Sequence, residues 1–330
     1  MGGIGIRVAV VGAGALGSAF AALLFESGTD VVLLSERKDH VELLISQGLQ
    51  VSENAAESRI VKVPAAFDIN ACEAVDLAIV LVKSTQTAHA VERILPILKP
   101  NSAVLSLQNG VGNEEIITDA VGESRVIGGK TYVGSVSTGP GQISIGLAGK
   151  TTVIGEFDGS TSTRIADISE LFNRARIVTH ATTNILGAIW DKLLVNVATG
   201  AISAITGLPY GDLYQIQEIR QTVFRAVDEA IEVADSIGVH LSIRDTEVIW
   251  NNAKSRLAPD FKASMLQSIE ACQPTEIDVI NGAVVRLGNR YGVPTPVNQA
   301  FVAAVKGIEW RQRLENTRSQ KPNRIGGSVD

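Results

Sequence analysis

Short apolar runs alternate with amphipathic stretches through the first part of the chain. Four runs rich in β-branched residues predict strands, and helical patterns follow the first three: Arg7–Val11, Asp30–Ser35, Leu77–Val82 and Ala103–Leu107. Strands and helices that alternate in this way build a parallel sheet covered on both faces. The run at Leu77–Val82 is apolar at nearly every position, which is typical of a central strand. The pattern therefore predicts an α/β fold with a doubly wound sheet.

The pattern changes twice along the rest of the chain. Glycine-rich segments with alternating Val, Ile, Ser and Thr between residues 126 and 156 predict antiparallel or mixed strands that complete the sheet. After Thr183 strand signals nearly vanish, and the remaining periodic segments predict helices: Asn184–Ala204, Gly211–Ile237, Asp245–Leu257, Glu276–Tyr291 and Pro296–Leu314. We therefore predict two domains, residues 1–182 with the sheet and residues 183–330 as an all-α domain.

Composition and charge restrict the class of protein. The 330 residues are 45% hydrophobic and 19% charged, with a net charge of −6, so the chain lacks the basic surface that nucleic acids or anionic membranes require. The apolar stretch from Ile4 to Phe25 is interrupted by Arg7 and by glycines, which favours strand, turn and helix over a signal sequence or membrane span. Cys72 and Cys272 match no disulfide or metal spacing, as expected of a cytoplasmic protein.

A glycine turn follows the first predicted strand and precedes a helix. In Gly12-x-Gly14-x-x-Gly17 the first glycine permits a tight turn, the second lets the backbone approach a pyrophosphate, and the third allows close helix–strand packing. The helix then presents free N–H groups and a positive dipole end to phosphate. We predict a Rossmann-type domain that binds a dinucleotide at Gly12, Gly14, Ala15, Leu16 and Gly17.

The end of the second predicted strand leaves the choice of cofactor open. An acid about 20 residues past the glycines usually binds the ribose hydroxyls of NAD, whereas basic residues there favour the additional phosphate of NADP. Glu36 and Arg37 follow one another at this position and favour opposite choices. A third interpretation is that residues 36–39 simply begin a solvated helix.

Two polar residues follow central strands directly. Lys83 and Asn109 come after the predicted strands at 77–82 and 103–107, and open α/β sheets bind ligands at the carboxyl ends of their strands. We therefore expect both loops to face the cofactor. The alternative is a surface lysine and an ordinary Asn-Gly turn.

The helical half carries two further candidates for chemistry. Lys192 and Asn196 are four residues apart and share one helix face. Glu276 begins a predicted helix. Taken alone, each is more typical of a surface side chain, either a lysine with an exposed ammonium or an acid near a helix start.

The order and spacing of these motifs resemble the ketopantoate reductase family along nearly the whole chain. The matching segments are the GAGALG turn, Val82-Lys83, Gln108-Asn109-Gly110-Val111-Gly112, Trp190-x-Lys192-x-x-x-Asn196, Ser264-Met265, Thr275-Glu276-Ile277-Asp278 and Pro294-Thr295-Pro296-Val297-Asn298. This family reduces 2-dehydropantoate to pantoate with NADPH, a step towards pantothenate and coenzyme A.

The resemblance also implies roles for individual residues. Lys192 would be the general acid beside the ketone, and Glu276 would orient the lysine and the substrate. The other implied contacts are Asn109, Asn196, Ser264 and Lys83 with the substrate, and Arg37, Lys83, Asn109 and Glu276 with the cofactor. A positioned ammonium suits the reaction because hydride addition leaves negative charge on the ketone oxygen. No metal is needed.

Departures from the family pattern keep other functions open. Gly200 stands where many members carry a second asparagine, and Ser268 replaces a common acid. A related reductase of another branched 2-oxo acid therefore remains an alternative. A non-catalytic NAD(P) sensor is a second alternative, although such a protein would not require Lys192. The helical half also has enough apolar surface for a homodimer.

Overall fold

The computed structural model describes residues 5–53, 58–255 and 258–319. The chain forms two compact units, Met1–Trp190 and Asp191–Asp330. They divide inside a long helix, Ile185–Thr206. The predicted domain boundary, after residue 182, lies shortly before that helix.

The first unit alternates strands and helices as the hydrophobic pattern predicts. Its strands are β1 (Arg7–Val11), β2 (Asp30–Leu34), β3 (Leu49–Glu53), β4 (Arg59–Val61), β5 (Ala65–Ala66), β6 (Val75–Val80), β7 (Leu98–Ser106), β8 (Val126–Thr131), β9 (Gly134–Gly139), β10 (Gln142–Gly146), β11 (Thr152–Gly155) and β12 (Thr179–Ala181). Its helices are α1 (Ala15–Glu26), α2 (Lys38–Gln47), α3 (Thr87–Ile94), α4 (Asn113–Val121) and α5 (Thr163–Arg174).

Eight strands form one twisted sheet in the order β12-β11-β8-β7-β6-β1-β2-β5. All neighbours in it are parallel except β8 and β11, which pair antiparallel. β1 lies between β2 and β6, with Val8 opposite Val31 on one side and Leu77 on the other. The chain therefore leaves β1 in one direction and returns on its other side, which is the strand reversal of a doubly wound sheet.

Side chains of β1 alternate between two apolar cores. Val10 packs with Phe20 of α1 and Phe172 of α5, whose rings meet edge to face at 5.7 Å. Val11 packs on the opposite face in the core that contains Val91 of α3. Helices thus cover both faces of the sheet, and the predicted α/β Rossmann-type fold is confirmed.

A second sheet, in the order β4-β3-β10-β9, was not predicted. The glycine-rich segment between residues 126 and 156 divides its strands between the two sheets, because β8 and β11 join the large sheet whereas β9 and β10 pair with the small one. β10 runs parallel to β3, with Ile143 opposite Val51. This pairing joins segments far apart in sequence, which no local pattern indicates.

The second unit is helical in its described residues, as predicted. Its helices, beginning with the long helix that enters it, are α6 (Ile185–Thr206), α7 (Tyr210–Leu213), α8 (Gln217–Ser236), α9 (Thr246–Ser255), α10 (Ser264–Glu270), α11 (Asn281–Tyr291) and α12 (Pro296–Ser319). Two predicted helices are interrupted: Gly211–Ile237 becomes α7 and α8, and Glu276–Tyr291 begins as a 3-10 turn, Ile277–Val279, before α11. α10 was not predicted, and the predicted helix end at Leu257 lies outside the described residues.

A buried carboxylate fixes the start of α12. Glu229 of α8 accepts hydrogen bonds from the backbone N–H groups of Val297 and Asn298 at 2.8 and 3.0 Å, and from the Asn298 amide at 2.7 Å. The first N–H groups of a helix have no partner within the helix, so this carboxylate satisfies donors that would otherwise be buried unpaired. The Pro-Val-Asn segment is therefore a packing feature of this unit.

Among the described residues, only α6 is long and apolar enough to cross a membrane by length and composition. Its most apolar window is 67% buried within the protein. The core helix of a globular protein passes the same test, so this finding is weak evidence for a membrane span.

Candidate active site

The glycine turn lies between the carboxyl ends of β2 and β6. The Gly12 N–H donates to the Leu34 carbonyl at 3.0 Å, and the Leu81 N–H donates to the Val11 carbonyl at 2.9 Å. Gly12 has a φ of +112°, and an added Cβ would come within 2.9 Å of Val82 Cγ1. The first glycine is therefore required both by the turn conformation and by the approach of the β6 end.

The other two glycines of the turn differ in their surroundings. A Cβ on Gly17 would lie 1.9 Å from the Gly12 carbonyl oxygen, so α1 can pack against the turn only without a side chain there. Gly14 precedes α1 with an ordinary φ of −73°, and no described atom lies within 4 Å of its would-be Cβ. The first turn of α1 thus faces an open cradle without a side-chain cap, and this fits a pyrophosphate.

A buried polar network joins the loops that follow β6 and β7. The Gln108 amide donates to the Val82 carbonyl at 2.9 Å and to the Thr87 hydroxyl at 2.8 Å. The Thr87 hydroxyl donates in turn to the Asn113 side-chain oxygen at 3.2 Å, and the Asn113 amide donates to the Asn109 carbonyl at 3.0 Å. The sequence pattern did not identify Thr87 or Asn113, because a threonine or asparagine at the start of a helix is common and does not by itself indicate a site.

This network places two predicted site residues on connected loops. Lys83 is exposed and precedes the 3-10 turn Ser84–Gln86, and Asn109 is half-buried. The Ser84 hydroxyl donates to the Asn109 carbonyl at 3.4 Å, which joins the two loops directly. Since Val82 also adjoins Gly12, the structure brings the Lys83 loop, the Asn109 loop and the glycine turn to one edge of the sheet.

A buried acid follows the Asn109 loop in the first turn of α4. Burial raises the pKa of Glu114 to about 7 from an ordinary value of 4.5; the Ser106 hydroxyl lowers it, and the like charge of Glu115 raises it further. Glu114 lies on the same helix face as the fully buried Ile117, three residues on. That spacing is the signal from which its burial could have been predicted.

Glu114 is expected to make stability depend on pH. The unfolded carboxyl ionises near pH 4.5 and the folded one near pH 7, so the folded chain retains a proton that the unfolded chain releases. The free energy of unfolding therefore falls as pH rises through this window, by about 3 kcal/mol at full effect. Glu114→Gln is expected to remove this fall, measured as melting temperature against pH from 4 to 8.

The exposed neighbour Glu115 provides the matched control. Glu115→Gln removes one carboxylate from the same helix turn and is expected to leave most of the wild-type pH dependence. Parallel curves for wild type and Glu114→Gln would show that the buried acid does not cause it.

In the second unit, α6 carries Lys192, Asn196 and Gly200 on one face, since they are four residues apart. Lys192 and Asn196 are half-buried, and the apolar residues that follow each of them in α6 are buried. A Cβ on Gly200 would lie 3.5 Å from Met265 Cε, so the start of α10 packs beside this end of the face. Ser264, the first residue of α10, is exposed there.

The residues before and after Glu276 in the chain both contact α12. The Thr275 N–H and hydroxyl donate to Glu309 Oε1 at 2.8 and 2.7 Å, and Lys306 pairs with Asp278 at 2.5 Å. Burial raises the pKa of Glu309, but the hydrogen bonds from Thr275 and the Lys306 ammonium hold it below its ordinary value. Glu309 thus remains ionised as the anchor of the segment that carries Glu276.

The structure separates the two competing residues at the end of β2. Glu36 Oε1 lies 3.1 Å from His89 Nε2 and 3.2 Å from Arg93 Nη1, both on α3. Arg37 instead pairs with Asp39 in the first turn of α2 at 3.0 Å, and both of these side chains are more than two-thirds exposed.

Strand, glycine turn and helix at the reversal point of the sheet define a dinucleotide-binding protein. The sequence profile described as ketopantoate reductase PanE/ApbA matches residues 8–159, and the profile of its C-terminal part matches residues 184–309. The chain therefore belongs to the ketopantoate reductase family and is an oxidoreductase. This membership supports a nicotinamide dinucleotide as its cofactor.

Individual relatives agree with this assignment over their full length. The 2-dehydropantoate 2-reductase of Halobacterium salinarum is 31% identical over 303 residues, 91% of this chain and 98% of that protein. A PanE/ApbA family ketopantoate reductase from Ralstonia eutropha has a TM-score of 0.85 at 32% identity, covering 93% of this chain and all of that one. A ternary structure of D-mandelate dehydrogenase with NADH and anilino(oxo)acetate has a TM-score of 0.87 at 27% identity, with the same coverage.

Proposed function

We propose that the protein reduces 2-dehydropantoate to (R)-pantoate, with Lys192 as the general acid. The observation that carries this proposal is the α6 face, where the half-buried Lys192 and Asn196 lie in line with Gly200 and the α10 start. The family resemblance assigns these residues to proton transfer and substrate binding. The protein would act in the cytoplasm, in the synthesis of pantothenate and coenzyme A.

The first unit would hold the pyrophosphate of the cofactor. Gly12, Gly14 and Gly17, with Ala15 and Leu16, form the cradle for its pyrophosphate, and the resemblance adds Lys83, Asn109 and Glu276 as further contacts. When bound, the reduced nicotinamide supplies a hydride, with its electron pair, to the carbonyl carbon of the substrate. The resemblance implies NADPH with Arg37 at its additional phosphate, whereas Glu36 at the same strand end leaves NADH open.

The protein's own side chains would manage the developing charge and the proton. As the ketone oxygen becomes an alkoxide, the Lys192 ammonium stabilises it and donates a proton from Nζ. Glu276 would orient Lys192 and the substrate, and this role suits a residue whose flanking segments are anchored on α12. Asn109, Asn196, Ser264 and Lys83 would hydrogen-bond the polar groups of the substrate.

A second candidate substrate is a 2-oxo acid with a different side chain, including an aromatic one. Gly200 carries no side chain where many family members carry an asparagine, and its would-be Cβ meets Met265 only at ordinary contact distance. A glycine at this position therefore leaves more space beside the α6 face than an asparagine would. The likeness to a D-mandelate dehydrogenase favours the same candidate.

Steady-state kinetics with 2-dehydropantoate, 2-oxoisovalerate, pyruvate and phenylglyoxylate separates these functions. We expect the kcat/KM for 2-dehydropantoate to exceed the others by about tenfold or more. Gly200→Asn is expected to lower kcat/KM for phenylglyoxylate by about tenfold, because the added side chain reduces the space beside α6. The kcat/KM for 2-dehydropantoate should fall less. Gly307→Ala, at an open position on α12, is the control.

Two outcomes would contradict the proposed function. Faster reduction of phenylglyoxylate than of 2-dehydropantoate would identify the second candidate. Tight dinucleotide binding without turnover of any 2-oxo acid would indicate the non-catalytic sensor instead.

A further inference from the structure

We propose that Glu36, held in place by Arg93 and His89, recognises the adenosine ribose and makes NADH the preferred cofactor. Glu36 is the specificity-determining residue in this proposal, and Arg93 and His89 are positioning residues that act through it. The inference rests on the proposed function only in that a nicotinamide dinucleotide binds at the glycine turn. It departs from the NADPH that the family resemblance implies.

Glu36 lies beside the glycine turn because of how β2 ends. The Leu34 carbonyl accepts the Gly12 N–H at 3.0 Å, and the Ser35 N–H donates to the Ala66 carbonyl at 3.1 Å. Glu36 is the next residue, and consecutive Cα atoms lie only about 3.8 Å apart. A dinucleotide with its pyrophosphate at the turn has its adenosine ribose near the end of this strand.

The Glu36 side chain extends towards the point where the strand order reverses. Both of its partners, His89 and Arg93, lie on α3, which follows β6 on the far side of β1 from β2. Glu36 therefore spans from the end of β2 towards the helix that follows β6. Open α/β sheets bind their ligands in the crevice at this reversal.

Arg93 makes two separate contacts, one with the Glu36 carboxylate and one that anchors the guanidinium itself. Its Nη1 lies 3.2 Å from Glu36 Oε1, while its Nη2 donates to the Phe67 carbonyl at 2.9 Å, just past β5. The Arg93 side chain is 25% exposed, so this guanidinium is held rather than mobile in solvent. His89 and Arg93 both contact Oε1, and the Glu36 side chain is 40% exposed, so its carboxylate is also accessible to a ribose hydroxyl.

Arg37 already has an acidic partner. It lies beyond β2, as the residue that directly precedes α2. It pairs with Asp39 at 3.0 Å. A 2′-phosphate on the ribose would bring about two negative charges next to the Glu36 carboxylate, and this like-charge contact disfavours NADPH.

Direct binding measurements test the proposal without any 2-oxo acid. Titrations that follow the fluorescence of NADH and NADPH are run with wild type, Glu36→Gln, Arg93→Gln and His89→Gln. We expect wild type to bind NADH at least about tenfold more tightly than NADPH, since a charged hydrogen bond and a repulsion both act on the same group. Glu36→Gln should weaken NADH binding by about tenfold and tighten NADPH binding.

The positioning residues should show a different signature. Arg93→Gln and His89→Gln are expected to weaken NADH binding by a smaller factor, because the carboxylate remains but is less well held. Glu42→Gln, which removes an exposed acid from α2, is the matched control and should change neither affinity.

Three results would overturn the proposal. One is tighter binding of NADPH than of NADH by wild type, and another is an unchanged NADH-to-NADPH ratio in Glu36→Gln. The third is a selective loss of NADPH binding in Arg93→Gln, which would assign that cation to the 2′-phosphate. Failure of both dinucleotides to bind would refute the proposed function as well, whereas NADH binding with no turnover of 2-dehydropantoate would refute only the substrate.

Discussion

Replacing Lys192 with alanine is expected to lower kcat by about 100-fold or more, the usual contribution of a general acid. The dissociation constant of the dinucleotide should stay within about twofold, because the predicted pyrophosphate cradle lies entirely in the first unit. Alanine has the highest helix propensity, and the apolar neighbours Leu193 and Leu194 remain buried, so α6 should keep its structure. Steady-state turnover and fluorescence titration of the same preparation measure both quantities.

Lys254→Ala serves as the control for a lost lysine in the helical unit. Lys254 lies exposed on α9, with its ammonium 5.6 Å from the centre of the Tyr214 ring. We expect its loss to leave kcat unchanged. If Lys192→Ala retained wild-type turnover, Lys192 would have no part in proton transfer. If it lost cofactor binding as well, its role would be in binding or folding.

The glycine turn is expected to respond in opposite ways to alanine at its second and third glycines. Gly17→Ala places a methyl group 1.9 Å from the Gly12 carbonyl oxygen, so α1 must move away from the turn, at a cost of at least about 2 kcal/mol. Its melting temperature should fall by several degrees. Gly14→Ala meets no described atom within 4 Å and should cost less than about 1 kcal/mol.

Cofactor binding should separate the same two variants. The methyl group of Gly14→Ala occupies the open cradle, so we expect the dissociation constant of the dinucleotide to rise by about tenfold or more while the melting temperature without cofactor barely changes. Gly307→Ala, at another open glycine, should leave cofactor binding unaltered. Wild-type affinity in Gly14→Ala would place the pyrophosphate elsewhere, and an undisturbed melting temperature in Gly17→Ala would contradict the close packing.

The large sheet could be predicted because its strands carry their own signal. β1 spans Arg7–Val11 as its apolar run indicated, since a strand buried on both faces is apolar at successive positions. The small sheet could not be predicted, because β3 and β10 are short strands whose pairing depends on residues far apart in sequence. The break between Glu276 and α11 also escaped the helical pattern, which records apolar spacing and not backbone dihedral angles.

The same contrast holds for the site. Gly12 adopts a local turn conformation, and Gly17 approaches the carbonyl of Gly12 in the same turn, so both glycines are visible in a short motif. Glu309 contacts Thr275, which is more than thirty positions away along the chain. Arg93 of α3 likewise contacts Glu36, which lies beyond the end of β2. Such partners look like ordinary helix residues until the fold brings them to their contacts.

The two compact units also suggest how members of this fold diversify. The glycine turn and Glu36 belong to the first unit, whereas Lys192, Asn196 and Ser264 belong to the second. Substitutions that exchange one dinucleotide for the other can therefore accumulate without altering the residues assigned to proton donation, and changes around Gly200 can broaden substrate choice without touching the nucleotide. A lineage that inherits this arrangement can adapt to a different redox pool and to a different metabolite by independent mutational routes.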